Sequence, residues 1–293
     1  MFWALAGITA VIGSAAASHG DSIASKIMAN SKNEPPYHIT GPLVSVVIPT
    51  YHEEDYICPA LDAIMHQTYT PIEIVISDQT QDQEGIDKID EIAAIYNCKI
   101  IHSTEKNVSI GRNMGAEVSN GQIVLFLDAD CIMSQTFVEQ LVTGLVRPGI
   151  KISHGVDVFQ DSNFVRQSFR ILVSNNKDIN FTTGKGVAMW KEDFFEIGGY
   201  NENLNPMEAN QHEDIDLGYR VQLEWGREAI YLDRTAYVAE ASRRPIGLFR
   251  HLTKTSTWDH RGYRDGKAID GMSSMKTISL EERLSLLGLG GSE

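Results

Sequence analysis

Residues 122–130 read QIVLFLDAD, an unbroken apolar run that ends on two carboxylates, Asp128 and Asp130, separated by one small residue. Gln122 to Leu127 has the length of a strand and no polar alternation, which is the pattern of a strand covered on both faces of a parallel sheet. Toward the N-terminus the same signal recurs in LVSVVIP (Leu43 to Pro49), in IEIVIS (Ile72 to Ser77) and in Lys99 to His102. Between these runs the apolar residues fall at helical spacing: Ile57, Leu61, Ile64 and Met65 within Glu53 to Gln67, then Ile86, Ile89, Ile92 and Ile95 within Gly85 to Tyr96. A third helix is expected over Ile110 to Ser119. Strand and helix in alternation imply right-handed βαβ units on a parallel sheet, a doubly wound nucleotide-binding α/β architecture flanked by helices. Beyond Asp130 the pattern loosens. A helix at Gln135 to Val146, another beginning near Glu213, and a last strand around Ala229 to Leu232 and Ala236 to Val238 are expected there.

The chain has 293 residues, room for one large α/β domain or two small ones. Its 25 Lys and Arg face 39 Asp and Glu, a net charge of −14, which argues against a nucleic-acid partner because such a protein carries a dominant basic footprint. Cys58, Cys98 and Cys131 are odd in number and widely spaced, so neither a disulfide framework nor a zinc site is expected, and a reducing compartment is the default. Phe2 to Ser18 carry no charge, and as a helix would span roughly 25 Å, at the short end of what crosses a bilayer. Membrane anchor, signal peptide and amphipathic or buried helix compete for this stretch. The anchor is preferred, because no positive region precedes the apolar run as it would in a signal peptide. The resulting layout is residues 1–20 as anchor, 21–42 as a linker bearing Pro35, Pro36 and Pro42, 43–130 as a nucleotide-binding half, 131–240 as an acceptor half, and 241–293 as a basic, aromatic tail. Location at a membrane with the catalytic domain in the cytoplasm follows. In the tail, Arg243, Arg244, Arg250, Lys254, Arg261 and Arg264 alternate with His251, Trp258, His260 and Tyr263. These could form an amphipathic helix on the domain, cover a diphosphate, or lean on anionic headgroups.

Ligands of open parallel sheets bind outside the carboxyl ends of the strands. Three strand ends in this chain deliver carboxylates to that edge: Glu53 and Glu54, then Asp78 and Asp82, then Asp128 and Asp130. Such a cluster repels itself unless a cation or a hydrogen-bonding ligand neutralises it. Asp128 and Asp130 offer hard oxygen ligands for Mn²⁺ or Mg²⁺; the alternative is that they cap a following helix. Farther on, His212-Glu213-Asp214 opens a helical pattern, so Glu213 and Asp214 fall on its first turn, where the helix dipole favours an ionised base. Dipole compensation alone would also explain them, and His212 is either a cap or an acceptor contact. Thr183 to Val187 reads TGKGV but lacks Walker A spacing. Trp190 and Trp225 are expected in the core.

Taken together, VSVVIPTYHEE, IEIVISDQTQD, GRNMGAEVSNGQIVLFLDADC, GGYNENL (Gly198 to Leu204) and HEDIDLGYR resemble the family 2 glycosyltransferases of the GT-A fold, from Val44 to about Arg264. The resemblance implies a nucleotide-sugar donor, a bound Mn²⁺ or Mg²⁺, and a glycan or lipid-linked acceptor. It places Pro49, Tyr51, Glu53, Asp78, Arg112 and Asp128 at the nucleotide, Asp128 and Asp130 at the metal, and Glu213 and His212 on the acceptor side. Asp214 becomes the catalytic base of an inverting displacement. The chain departs from the family in Ser77 and Gln79, which stand where many members have Asp and Gly. The Gln-x-x-Arg-Trp motif of processive synthases is missing, which points to single additions. A nucleotidyltransferase would want a basic, glycine-rich loop after the first strand, and PTYHEE (Pro49 to Glu54) is neither. A tethered, non-catalytic binding module would not need Asp128, Asp130 and Asp214 together.

Overall fold

The computed structural model describes residues 15, 18–160, 185–204, 213–240, 263–264 and 267–268. The stretch 2–18 lies almost wholly outside them, as do His212, Thr183 and Gly184, and most of the basic tail. Among the described residues no helix is long and apolar enough to cross a membrane.

Eight strands form one sheet: β1 (Ile39–Thr50), β2 (Tyr69–Asp78), β3 (Lys99–His102), β4 (Ile123–Phe126), β5 (Cys131–Met133), β6 (Ile152–Phe159), β7 (Val187–Trp190) and β8 (Ile230–Glu240). Their spatial order is β3-β2-β1-β4-β7-β6-β8-β5. The first four are mutually parallel, as the alternation predicts. β7 then runs antiparallel to both β4 and β6, β8 lies parallel to β6, and β5 closes the far edge antiparallel to β8. The sheet is therefore mixed, with its second half built around a reversed strand. The helices are α1 (18–30), α2 (Cys58–Met65), α3 (Gln83–Ile95), α4 (Val108–Val118), α5 (Phe137–Leu145), α6 (Lys191–Glu196) and α7 (Glu213–Trp225).

The central strands are dry. Val44, Val46, Val47 and Ile48 of β1, and Ile123 to Phe126 of β4, have no exposed surface, each large side chain contributing roughly 1.5–3 kcal/mol of burial. α4 lies directly on β1 because Gly115 has no side chain: a Cβ there would run into Val47. That close approach fixes the height of Arg112, one turn earlier on the same helix. Side-chain caps begin α3 and α4: Asp82 accepts from the Gly85 N–H and Asn107 from the Ser109 N–H, both at 2.8 Å.

Two expected boundaries move. The first is the segment 21–42, which is not a plain linker: residues 18–30 are α1, whose Ala24 and Ile27 are buried against Ala63, Ile132, Val158 and Ala239. The apolar spacing of Ile23, Ala24 and Ile27 carries that helix, and the three prolines break the chain only after it. β1 accordingly starts at Ile39, pairing with Tyr69 before a register irregularity between Thr40 and Val44. The second is the helix expected from Glu53, which begins only at Cys58. Pro59 sits in its first turn, the place where a residue without an N–H is tolerated, and leaves Glu53 in a turn before it.

Candidate active site

Parallel pairing of β1 with β2 and β4 brings the ends Thr50, Asp78 and Phe126 to one edge of the sheet. Tyr51 is half-buried there, with the Lys106 ammonium 3.8 Å above its ring centre, and Pro49 and Glu53 flank it, also half-buried. Asp78 is the last residue of β2. It has no exposed surface; its Oδ1 accepts from the hydroxyls of Thr50 and Thr80, each at 2.8 Å, and its Oδ2 meets His102 Nδ1 at 3.2 Å. His102 in turn faces Asp90 through Nε2 at 3.0 Å. A carboxylate so enclosed ties the loops after β1 and β2 together: Asp78 ends β2 with its side chain turned inward, and the exposed groups of this rim lie on the loops it holds.

The chain after β4 does not enter a helix. It turns through Asp128 and Asp130 into β5, so neither carboxylate is a helix cap. Both are half-buried, and with the Cys131 sulfur their ligand atoms lie within 4.8 Å of one another. Cys131 is fully buried, and burial pushes its thiol pKa well up, which leaves it protonated and a poor partner for a hard ion. The donor set that remains is a pair of half-buried carboxylates, which suits Mg²⁺ or Mn²⁺ with water and phosphate oxygens completing the shell.

Arg112 joins this pair to α7. Its side chain is 2% exposed. One Nη donates to Asp128 Oδ1 at 2.9 Å and the other to Glu213 Oε1 at 2.5 Å, and the guanidinium stands 5.0 Å from the Tyr200 ring centre. Burial by itself would lower the Arg112 pKa, but the charges of Glu213 and Asp128 hold it above its ordinary value. Burial raises the pKa of Glu213 against the pull of Arg112. Asp214, next to it in the first turn of α7, is half-buried and its Oδ1 accepts from the Ile215 N–H at 2.8 Å. Asp214, Glu213, Arg112 and Asp128 all act electrostatically on the buried Tyr200 hydroxyl, so one of the two metal-type carboxylates and the candidate base lie around the same side chain.

Two features of this edge escaped the sequence reading. Tyr200 is the first: its ring is buried against Phe126 and Phe194, its N–H donates to Asn113 Oδ1 at 2.8 Å, and the Asn113 amide returns a bond to the Tyr200 carbonyl. The second is the ion pair between Lys185 and Glu240, half-buried beside Cys131.

Comparison with known proteins decides the family. The model of "Glycosyl transferase family 2" matches residues 45–199. The chain belongs to glycosyl transferase family 2. Within the family it is 24% identical over 208 residues to a glucosyl-dolichyl phosphate glucuronosyltransferase of Haloferax volcanii, covering 64% of this chain and 66% of that protein. It is 35% identical over 121 residues to glycosyltransferase AglE of the same organism, 40% of each. Thus the match spans less than two thirds of either relative. Among solved structures, a mannosyltransferase from Pyrobaculum calidifontis in complex with GDP-Man and Mn²⁺ superposes with a TM-score of 0.60 over 87% of this chain and 73% of that one, at 18% identity. The likeness is one of fold. This family 2 chain has the same curled, mostly parallel sheet between helices. Of its candidate site residues, Pro49, Tyr51, Glu53, Asp128, Asp130, Glu213 and Asp214 reach the carboxyl edge; Asp78 and Arg112 brace it from inside, and His212 lies outside the described residues.

Proposed function

We propose that this chain transfers a sugar from a nucleoside-diphosphate donor to an acceptor hydroxyl, with inversion, one sugar per event, and that it needs a divalent cation. The observation that carries the reading is the Arg112 bridge from Asp128 to Glu213, which ties one carboxylate of the metal-type pair to the start of α7, 101 positions beyond Arg112 in sequence. Asp128 and Asp130 are the residues that would hold Mn²⁺ or Mg²⁺. That ion, when bound, offsets the charge gathering on the departing diphosphate. Tyr51, with Pro49 and Glu53, forms the nucleoside side of the cleft. Asp214 accepts the proton of the attacking hydroxyl: it sits on the first turn of α7, where the helix dipole favours its ionised form. Glu213 is spent on Arg112 and stays an acceptor-side neighbour. One ionised base opposite the leaving group is what a single displacement requires, and it inverts the anomeric centre.

The solved mannosyltransferase in complex with GDP-Man and Mn²⁺ supports the donor and cation, and the dolichyl-phosphate enzyme of Haloferax volcanii supports a lipid-linked acceptor. The uncharged Phe2 to Ser18 supports membrane association, with the catalytic domain placed in the cytoplasm as part of the same proposal. The test is release of nucleoside diphosphate from a panel of UDP- and GDP-sugars with Mn²⁺. Asp214→Asn is expected to lower turnover by at least about 100-fold while donor binding stays within a few-fold of wild type. Release that is indifferent to chelation of the metal and to Asp214→Asn contradicts the reading.

A further inference from the structure

Lys185 and Gly186 have no part in the chemistry above, yet the topology carries them to the same edge. β7 runs antiparallel to β4 with Val187 opposite Phe126, and the Gly186 N–H donates to the Phe126 carbonyl at 2.9 Å. Lys185 therefore stands beside the chain as it leaves β4 for Asp128. Gly186 makes the turn with φ +83°, and a Cβ there would strike the Phe137 ring. From the other side, the β5–β8 pairing puts Glu240 opposite Cys131. The Lys185 ammonium and the Glu240 carboxylate pair across this space, with side chains 18% and 15% exposed: within reach of a ligand, yet poorly hydrated. Asp128, Lys185, Asp130 and Glu240 all act on the Cys131 thiol that they surround.

Among the described residues the cations of this edge are few: Lys106 stands over the Tyr51 ring and Arg112 is enclosed. Asp128 and Asp130 balance one divalent ion. Arg112 is buried and committed to Asp128 and Glu213. A nucleoside diphosphate brings at least two more negative charges, and more gather as the glycosidic bond breaks. We propose that Lys185 is the ammonium that receives the donor's diphosphate, exchanging the Glu240 carboxylate for phosphate oxygens when the cleft is filled. An ammonium has three donors, and a diphosphate offers more charge and more acceptor oxygens than one carboxylate. Such a cation, aimed where negative charge grows, favours departure of the leaving group. This inference rests on the donor reading of the preceding section.

The experiment is calorimetric titration of the full chain, in the presence of Mn²⁺, with GDP and UDP and with guanosine and uridine. Thermal unfolding of each variant reports its fold. Lys185→Ala is expected to weaken binding of the diphosphate by about 10-fold or more and to leave nucleoside binding unchanged; Lys185→Arg stays within about threefold of wild type. Glu240→Gln releases the ammonium and tightens diphosphate binding. A pair that merely supports the fold predicts otherwise: both Lys185→Ala and Glu240→Gln lower the melting temperature and neither changes diphosphate affinity relative to nucleoside. That outcome, or loss of nucleoside and diphosphate binding alike, overturns the inference. A wild-type chain that binds neither GDP nor UDP overturns the donor reading itself.

Discussion

Arg112 shows how one buried side chain decides what its neighbours can do. A guanidinium between two carboxylates in a dry setting is costly to desolvate, and breaking such a group strands the remaining charge. Arg112→Met leaves Glu213 buried opposite nothing positive, so a loss of about 3 kcal/mol in stability is expected from urea unfolding at pH 7. The loss is smaller at mildly acidic pH, because burial already raises the Glu213 pKa and a protonated Glu213 carries no charge to strand. His154 provides a second residue-scale test. It is 3% exposed in β6, and burial pushes its pKa down to about 4 from an ordinary 6.5. A base whose folded pKa is depressed binds fewer protons in the folded than in the unfolded chain. Stability is therefore full above about pH 6.5 and falls as pH drops toward 4, by about 3 kcal/mol across that window. Unfolding of His154→Leu at pH 7 and pH 4.5 is expected to show a markedly smaller acid loss than wild type.

At the scale of elements, the parallel half was legible because its signals are local. LVSVVIP, IEIVIS and QIVLFL announce strands within their own length, and the 3.6-residue spacing between them announces helices. Reversal of β7 was not legible: VAMW is four residues long, and only its pairing with Phe126 and Ile152 gives it a direction. The same holds for Lys185 and Glu240, which are 55 positions apart in sequence and meet only because β7 begins and β8 ends at this edge. The burial of Asp78 and Arg112 was not legible either, since a motif reports residue type and not side-chain direction. One element-scale prediction concerns the turn into β7. Gly186→Ala demands a left-handed backbone from an L-residue and places a methyl against Phe137. A loss of at least about 1 kcal/mol in stability is expected, together with weaker diphosphate binding, because Lys185 moves with the turn. Unchanged stability contradicts the assigned turn geometry.

For the whole molecule, α1 ties the N-terminal segment to the functional edge. Ala24 and Ile27 pack against Ile132 of β5, Val158 of β6 and Ala239 of β8, and Ile132 is two residues from Asp130. Ala24→Asp is expected to destabilise the chain by about 2 kcal/mol by burying an unpaired charge against that cluster, with the shift read by thermal unfolding. The central claim is that residues scattered from β1 to α7 converge on one divalent ion and one nucleoside diphosphate. Crystals soaked with Mn²⁺ together with GDP or UDP test it most directly through the anomalous signal of manganese. The account predicts one peak, held by the carboxylates of Asp128 and Asp130 with phosphate oxygens beside it and Asp214 across the cleft. Manganese bound elsewhere, or a nucleotide seated away from this pair, contradicts it.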